Sequence, residues 1–255
     1  DGTQTAQAQL VKLIHGDAHP DGPGYSEVEI DNKINGEWKV EKQFTQLGSF
    51  LRANDPENKL AIDGDFTIFG YIYPTTPKTG HHQWIFSRWD NKTNEGYGIG
   101  INKDGYLELV VGDGQEVDYL VSELPIVKKV WYFVAATFNY KTGKASLYQE
   151  DVLNRYNSLL GKVVPYDYRS HTATTFRFKQ KNSDNTPFIV SGAEDLHELR
   201  GNFISGIYAG KVDRHGVCNR VLSREELDKV RAGELPEENS IIAYWDTTVG
   251  FSENG

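Results

Sequence analysis

The sequence predicts an all-β protein, built as an antiparallel β-sandwich with one short helix near its C-terminus. Short runs rich in β-branched and aromatic residues recur along the chain, and turn signals such as Asp-Gly or proline separate them. Glycine occurs 25 times, and aromatic residues make up 12% of the 255 positions. This pattern is typical of two-sheet β proteins. Because tight turns join consecutive strands, antiparallel pairing is favoured over parallel strands with crossover helices.

The clearest strands lie between residues 60 and 149. Asp104-Gly105 predicts a hairpin turn, because an Asp-Gly pair readily adopts positive φ. Lys141-Thr-Gly143 predicts a second turn. The strands predicted in this part are Phe66–Tyr73, Gln83–Arg88, Gly96–Ile101, Tyr106–Val111, Lys129–Phe138 and Lys144–Tyr148.

The next part of the chain is more polar. Residues 150–186 are expected to form a long loop, with one short helix near Val152–Leu160. Strands are predicted to resume at Pro187–Val190 and at Gly206–Val212.

One helix is predicted at residues 223–232. Ser223 and Glu226 have the spacing of a capping box, in which each side chain accepts a hydrogen bond from the other residue's backbone N–H. Gly233 and then Pro236 are typical residues after the end of a helix.

The charge balance argues against two classes of partner. Lysine and arginine number 27, aspartate and glutamate number 36, and the net charge is −9 at pH 7. Nucleic acids and anionic membranes bind proteins through basic residues that neutralise phosphates, so neither is an expected partner. The sequence also contains no run of 18 apolar residues, and no membrane-spanning segment is predicted.

Cysteine and methionine usage give two further expectations. Cys218 is the only cysteine, which excludes an internal disulfide and a zinc site made of several cysteines. We expect it to be a small buried hydrophobe. The chain has no methionine, and its polar start lacks the charged and apolar regions of a signal peptide. A processed chain or a domain cut from a longer protein is therefore expected.

Several segments together carry a resemblance to a known fold family. They are Gly64–Pro74, Asp104–Leu109, Val130–Phe138, Lys144–Tyr148, and Gly210–Asp213 followed by Asn219–Leu227. In this order, they resemble a laminin-G-like, concanavalin-A-like jelly roll over roughly residues 45–233. The resemblance implies that the predicted sandwich is a jelly roll.

Two flanking segments, Leu13–Gly24 and Ala243–Asp246, resemble the large (beta) subunit of N,N-dimethylformamidase and its relatives. The resemblance implies a jelly-roll domain that precedes a separate catalytic domain in the same polypeptide, together with a small subunit. It also implies that the catalytic domain holds a mononuclear iron and hydrolyses N-substituted formamides. On this interpretation the iron ligands lie beyond Gly255, and this chain alone is not an enzyme.

The domain organisation follows from these two resemblances. Residues 1–44 are expected to be an extension that packs on the sandwich or on a neighbouring domain. Residues 45–255 are expected to form the jelly-roll domain. Its last strand, at 241–245, is expected to pair with Val11–Ile14 or with another early strand.

Catalytic motifs are weak in this sequence. The side chains of Glu27, Glu29 and Asp31 alternate as in glycosidase strands, but the run lies outside the jelly-roll core and is interpreted as a solvated edge. The adjacent pair His81-His82 is interpreted as an exposed loop. His15 and His19 lie near two aspartates, but their segment does not match a calcium loop and is interpreted as a structured loop packed on a partner domain.

Asp213 is a candidate ligand for a structural calcium ion. Jelly rolls of the family that the chain resembles often hold calcium at a sheet edge, and the resemblance implies a ligand at this position. The alternative is that Asp213 is paired with Arg214 or Arg220, which are close in sequence.

Trp84, Trp89 and Tyr97 are the candidate ligand-binding residues. Aromatic faces on a concave sheet suit stacking on sugar rings, whereas large rings are also normal in a sandwich core. Both interpretations remain open from the sequence.

Two functions are consistent with these observations. The first is a non-catalytic interaction domain of a dimethylformamidase-like amidohydrolase, docking to the downstream catalytic domain and to other subunits. The alternative is a free-standing carbohydrate-binding, lectin-like module with a glycan as its partner. The resemblance favours a bacterial cytoplasmic location, and secretion is the alternative.

Overall fold

The computed structural model describes residues 7–11, 14–18, 26–34, 37–45, 50–152, 155–157, 162–164, 169–182, 186–197 and 201–246. The helix α1 spans Arg224–Arg231, and a single 3-10 turn spans Glu238–Ser240. No helix in the described ranges is long and apolar enough to cross a membrane. In chain order the strands are β1 (Gln7–Val11), β2 (Ile14–Ala18), β3 (Ser26–Ile34), β4 (Glu37–Thr45), β5 (Phe50–Asn54), β6 (Phe66–Pro74), β7 (Gln83–Asp90), β8 (Glu95–Ile101), β9 (Tyr106–Asp113), β10 (Val117–Pro125), β11 (Tyr132–Phe138), β12 (Lys144–Asp151), β13 (Arg155–Asn157), β14 (Lys162–Val164), β15 (Ser170–Thr175), β16 (Ile189–Val190), β17 (Ala193–His197), β18 (Gly201–Ser205), β19 (Gly210–Cys218) and β20 (Ile241–Trp245).

Two large sheets face each other. The first has the order β1-β5-β16-β7-β8-β9-β10, and the hairpin of β17 and β18 joins it beside β7. The second has the order β15-β12-β11-β6-β19-β20. Neighbouring strands along both orders pair antiparallel, so the predicted antiparallel sandwich is confirmed.

The strands and turns predicted between residues 60 and 149 are also confirmed. Gly105 and Gly143 take φ of +90° and +73° in the two predicted turns. The Asn102 side chain accepts hydrogen bonds from the N–H groups of Asp104 and Tyr106, both at 3.0 Å, and so fixes the first turn. The strand predicted from Lys129 starts only at Tyr132.

The polar stretch differs from its prediction. The predicted helix near Val152–Leu160 is wrong for the residues described there. Strand β12 runs to Asp151, and Arg155–Asn157 form the strand β13, which pairs with β14. A nine-residue helix without a buried face has little stability of its own. The edge strand β15 escaped prediction because half of its residues are exposed and its sequence shows no apolar alternation.

Two predictions near the C-terminus are corrected. The strand predicted at Gly206–Val212 begins only at Gly210, because Gly206 takes a φ of +58°. The final strand β20 pairs with β19, whereas Val11 lies in β1, which pairs with β5. Only α1 and short loops connect β19 to β20, and elements joined by short connections are usually neighbours in space.

The N-terminal region divides into two parts. Residues 7–11 form β1, which pairs with β5 and so belongs to the first large sheet. Residues 14–18, 26–34 and 37–45 form β2, β3 and β4 of a separate three-stranded sheet. The expected extension of residues 1–44 therefore contributes one strand to the sandwich itself.

Aromatic and aliphatic side chains fill the space between the sheets. Phe66 of the second sheet stacks on Tyr97 of the first, with ring centroids 4.7 Å apart. Phe66 also packs against Phe138, at 5.5 Å. All three side chains are fully buried. Burying each such side chain contributes about 1.5–3 kcal/mol, so this core is the main source of stability.

The helix α1 covers the outer face of the second sheet. Leu227 and Val230 of α1 are buried in one cluster with Phe69 and Phe133 of that sheet. The predicted capping box is present: Glu226 N–H donates to Ser223 Oγ at 3.2 Å, and Ser223 N–H donates to Glu226 Oε2 at 2.8 Å. Hydrogen bonds from Arg220 and from the Ser223 N–H lower the pKa of Glu226 to about 2.

A buried histidine lies within a stack of rings that links the two sheets. His215 is 1% exposed and stacks between Phe86, at 5.2 Å, and Trp245, at 5.1 Å. Trp245 in turn stacks on Phe188 at 5.8 Å. Neither nitrogen of His215 has a hydrogen-bond partner among the described residues. Burial of the ring lowers the pKa of His215 from its usual 6.5 to about 3.

The fold should therefore lose stability in acid through His215. The unfolded chain protonates this residue below about pH 6.5, whereas the folded chain keeps it neutral down to about pH 3. Between these values His215 should remove up to about 1.4 kcal/mol of unfolding free energy per pH unit as the pH falls. Urea unfolding at pH 7.5, 5.5 and 4.5 measures this slope, and His215→Phe should flatten it. The control His81→Phe, at an exposed histidine, should follow the wild type. An unchanged slope in His215→Phe would contradict the assignment.

Candidate functional site

The three aromatic residues predicted to bind a ligand are all buried. Their exposed fractions are 6% for Trp84, 4% for Trp89 and 0% for Tyr97. Tyr97 lies between the sheets, where its hydroxyl donates a hydrogen bond to the carbonyl of Leu60 at 2.6 Å. As placed, none of the three rings presents a face to solvent. Stacking on a sugar by these residues would require the fold to open.

Trp84 and Trp89 pack on the outer face of the first sheet. Their ring centroids are 5.4 Å apart, and they form a cluster with Val110 that is separate from the central core. The neighbouring strands carry glycines under the rings. A Cβ on Gly98 would lie 2.8 Å from the Trp84 ring, and one on Gly112 would lie 2.7 Å from the Trp89 ring. The glycines therefore leave the space that the two indoles occupy.

Asp213 is paired with its neighbour. Arg214 Nε donates to Asp213 Oδ2 at 3.1 Å, and the Arg214 guanidinium lies 4.6 Å from the centre of the Tyr71 ring. Arg214 takes a φ of +39° at the bulge of β19. No cluster of three or more His, Cys, Asp or Glu side chains suited to a metal ion occurs in the described part of the chain. These contacts match the arginine-paired alternative for Asp213, and they do not test calcium binding there.

The other candidate side chains fall in different places. His81 is exposed, but His82 is held in the fold: its Nε2 lies 2.9 Å from Glu108 Oε1, and its ring packs edge-on against Trp84 at 4.3 Å. His15 lies in β2, whereas His19 lies outside the described residues. Glu27, Glu29 and Asp31 lie in β3 of the separate small sheet. Of these residues, His82 therefore contacts another candidate, the buried Trp84.

An open groove lies elsewhere, on the outer face of the second sheet. Its volume is about 410 Å³, and it runs between β11 and β12 and the segment that leads into α1. None of its lining residues is among the ligand-binding, metal-binding or catalytic candidates predicted from the sequence. The groove is lined by Thr137, Asn139, Thr142, Lys144, Ser146, Tyr148, Val221, Leu222, Ser223 and Arg224.

One wall of the groove follows from strand geometry. Lys144, Ser146 and Tyr148 alternate along β12, so their side chains share one face of the sheet. Ser146 pairs with Thr137 across the ladder to β11. Tyr148 pairs with Ala135, whose small side chain leaves space beside the ring. This wall could have been suspected from the polar alternation of residues 144–148.

The other wall is fixed by one buried hydroxyl. Thr67 Oγ1 accepts a hydrogen bond from the Leu222 N–H at 2.9 Å and donates one to the Arg220 carbonyl at 2.7 Å. Thr67 lies in β6, so these bonds attach the segment before α1 to the second sheet. The groove therefore depends on a contact between residues more than 150 positions apart, which no local pattern reveals.

The charge of the groove is positive. Its ten lining residues include Lys144 and Arg224 but no carboxylate. Glu150 lies close by, where its Oε1 is 3.6 Å from Arg224 Nη2 and 2.5 Å from His171 Nε2. The His171 ring packs edge-on against Tyr148 at 5.0 Å. This arrangement suits binding of an anion, because the two charged side chains that line the groove are both cations.

Comparison with known proteins decides the family. Residues 48–188 match the laminin G-type family described as the concanavalin A-like lectin/glucanases superfamily. This chain belongs to that superfamily.

Two solved structures share the concanavalin A-like fold at low identity. A protein of Bacteroides ovatus described as carbohydrate-binding has a TM-score of 0.54 at 15% identity, over 76% of this chain and 48% of the other. The receptor-binding domain of a botulinum neurotoxin of mosaic serotype C/D has a TM-score of 0.51 at 14% identity, over 89% and 46%.

The concanavalin A-like chain also has longer relatives, as the flanking segments indicated. It is 32% identical over 252 residues to the N,N-dimethylformamidase beta subunit of an Alcaligenes species, which covers 98% of this chain and 33% of the relative. The identity to the corresponding subunit of Paracoccus aminophilus is 33% over 251 residues, with coverages of 98% and 32%. The chain thus spans about a third of the length of these curated relatives.

Replacing Trp89 tests whether the indole supports the fold or binds ligand. Trp89→Ala should lower the free energy of unfolding by about 3–5 kcal/mol, because it empties a buried site. It also removes the hydrogen bond from Trp89 Nε1 to Asn91 Oδ1, at 3.1 Å. Urea denaturation measures the change. A variant with wild-type stability that had lost binding on a glycan array would instead support the sugar-stacking hypothesis.

Adding calcium tests the pairing of Asp213. A calcium ion bound only to the folded state would raise the unfolding midpoint in a concentration-dependent way. Because Arg214 already compensates the carboxylate, we expect the wild-type midpoint in calcium to equal that in EDTA. A rise that Asp213→Asn abolishes would show that calcium replaces Arg214 at this carboxylate.

Proposed function

We propose that this chain is a non-catalytic interaction domain of a dimethylformamidase-type amidohydrolase, which docks to the catalytic part of the enzyme and to its other subunits. The observation that carries the proposal is the match to two dimethylformamidase beta subunits over 98% of this chain but only about a third of theirs. Such a match is the relation expected between one domain and a multidomain subunit.

The reactive side chains support a structural role. Cys218 is fully buried, and desolvation raises the pKa of its thiol to about 12, which suppresses the thiolate that a nucleophile needs. His215 is neutral within its stack of rings, and His82 is engaged with Glu108. These side chains hold the sandwich together and do not face a cleft.

The iron implied by the resemblance does not fit the residues described for this chain. No group of three candidate ligands is present within the described ranges. The proposal assigns no catalytic step to this chain; on this proposal, the iron and the hydrolysis of N-substituted formamides belong to the parts of the relatives that this chain does not match.

A carbohydrate-binding module is the second candidate, because one protein with the same fold, from Bacteroides ovatus, is described as carbohydrate-binding. At 15% identity, however, that likeness shows a common fold and does not indicate a shared binding site. The burial of Trp84 and Trp89 removes the stacking surface on which the sugar hypothesis depended. The docking function is therefore the better supported of the two.

A domain replacement in the Paracoccus aminophilus enzyme tests the docking role. In one version the matching 251 residues of the beta subunit are deleted, and in a second they are replaced by this chain. We expect the deletion to lose assembly and N,N-dimethylformamide hydrolysis, and the replacement to restore both. The control replacement uses the matching domain of the Bacteroides ovatus protein. That domain shares the fold but is not a dimethylformamidase relative, so it should restore neither assembly nor hydrolysis.

Three results would contradict the proposal. The docking role is wrong if the deleted subunit still assembles and hydrolyses N,N-dimethylformamide at the normal rate. The non-catalytic role is wrong if this chain alone hydrolyses that substrate. If the replacement fails, the isolated chain is added to the deleted subunit, and absence of co-elution on size exclusion also overturns docking.

A further inference from the structure

The groove beside α1 contains several polar groups that make no hydrogen bond to another described residue. Among the described residues, no hydrogen bond is made by Lys144 Nζ or by the side-chain oxygens of Thr137 and Ser146. All three line the same 410 Å³ space. Polar groups that converge on one concave space without satisfying each other are typical of a ligand site, and this volume lies within the range of small-molecule sites.

Not every polar group of the groove is available. The Asn139 Oδ1 accepts hydrogen bonds from the Thr142 N–H at 2.9 Å and from its hydroxyl at 2.8 Å, so this end of the groove is rigid. Ser223 Oγ is used by the capping box. The groups of the groove that remain open include the Lys144 ammonium and the hydroxyls of Thr137 and Ser146.

The charges define which ligand the groove favours. Lys144 is exposed, and the side chain of Arg224 is 55% exposed. The only carboxylate paired with Arg224 in the described structure is Glu150, at 3.6 Å, which is longer than a hydrogen bond. Among the other nearby carboxylates, Glu226 is bound by Arg220 and Glu225 lies on the exposed first turn of α1. Two cations thus face the groove in a chain whose net charge is −9.

We propose that this groove binds a small hydroxylated oxyanion, meaning a carboxylate or phosphate carried on a carbon skeleton with hydroxyl groups. Lys144 binds the anionic group, because an ammonium group forms strong charge-assisted hydrogen bonds with oxyanions, and Arg224 adds positive potential at the end of the groove near Glu150. The hydroxyls of Thr137 and Ser146 bind the skeleton, and the ring of Tyr148 forms an apolar side for it. The site is separate from the proposed docking role and stands without it.

Calorimetric titration of the chain at constant ionic strength tests the site. The probes are glucose 6-phosphate, glucuronate and glucose, of which the first two distinguish a phosphate from a carboxylate source. We expect saturable binding of at least one anionic probe, and binding of glucose weaker by about tenfold or more, since one charge-assisted contact contributes at least that factor.

Variants separate this site from non-specific charge attraction. Lys144→Gln should weaken binding of the anionic probe by about tenfold, and Arg224→Gln should weaken it less, because Arg224 acts through its charge and not through direct contact. Ser146→Tyr, which fills the groove without changing its charge, should abolish binding. The matched control is Lys229→Gln, on the exposed side of the last turn of α1, which should bind within twofold of the wild type. Thermal midpoints of all four variants verify that they remain folded.

The proposal is overturned by any of three outcomes. These are no saturable binding of either anionic probe, equal affinities for glucose and the anionic probes, and equal affinities of Lys144→Gln and Lys229→Gln for the probe. None of these outcomes depends on assembly with a dimethylformamidase, so this test fails or succeeds independently of the docking test.

Discussion

The fold depends on the need to cover both faces of its central strands. Every residue of β8 and β11 is buried, as are all but one of β6. Packing of the two sheets covers only the inner face of each. The outer faces need a separate cover, because exposed apolar rows of this length would be costly in water. Each sheet obtains its cover in a different way.

The second sheet uses the helix. The apolar stripe of α1 packs on Phe69 and Phe133, and Thr67 attaches the preceding segment to β6. The helix is only eight residues long, so it cannot cover the whole face. Beyond the first turn of α1, the uncovered part of the sheet's outer face carries Lys144, Ser146 and Tyr148. These residues form one wall of the groove. The same element that stabilises the sheet thus shapes one wall of the proposed ligand site.

The first sheet uses two tryptophans and a hairpin. Trp84 and Trp89 lie across glycine positions, and Ala193 of β17 packs beside them. Gly98 and Gly112 have no side chains to compete for this space. Trp84 and Trp89, which were predicted to bind a sugar, therefore help to cover the outer face of the first sheet. Their burial favours the docking proposal over the carbohydrate-binding one, because docking does not require these rings to be exposed.

Local patterns predicted the parts of the fold that depend on local chemistry. The Asp104-Gly105 turn and the Ser223–Glu226 capping box are determined by neighbouring residues, and both were predicted. The burial of Trp84, the partner of β20 and the groove depend on contacts between distant parts of the chain. A tryptophan in a strand has the same sequence pattern whether a hairpin covers it or solvent does. The edge strand β15 was missed because its sequence is polar and shows no apolar alternation.

The structure has an open groove beside α1, whereas the aromatic face of the first sheet is closed. Hydrogen exchange of the chain with and without glucose 6-phosphate tests both statements. We expect slow exchange throughout β7 in both conditions, and added protection by the ligand confined to residues 144–148 and 221–224. Fast exchange at Trp84 and Trp89 in the free chain, with ligand protection appearing there, would contradict them.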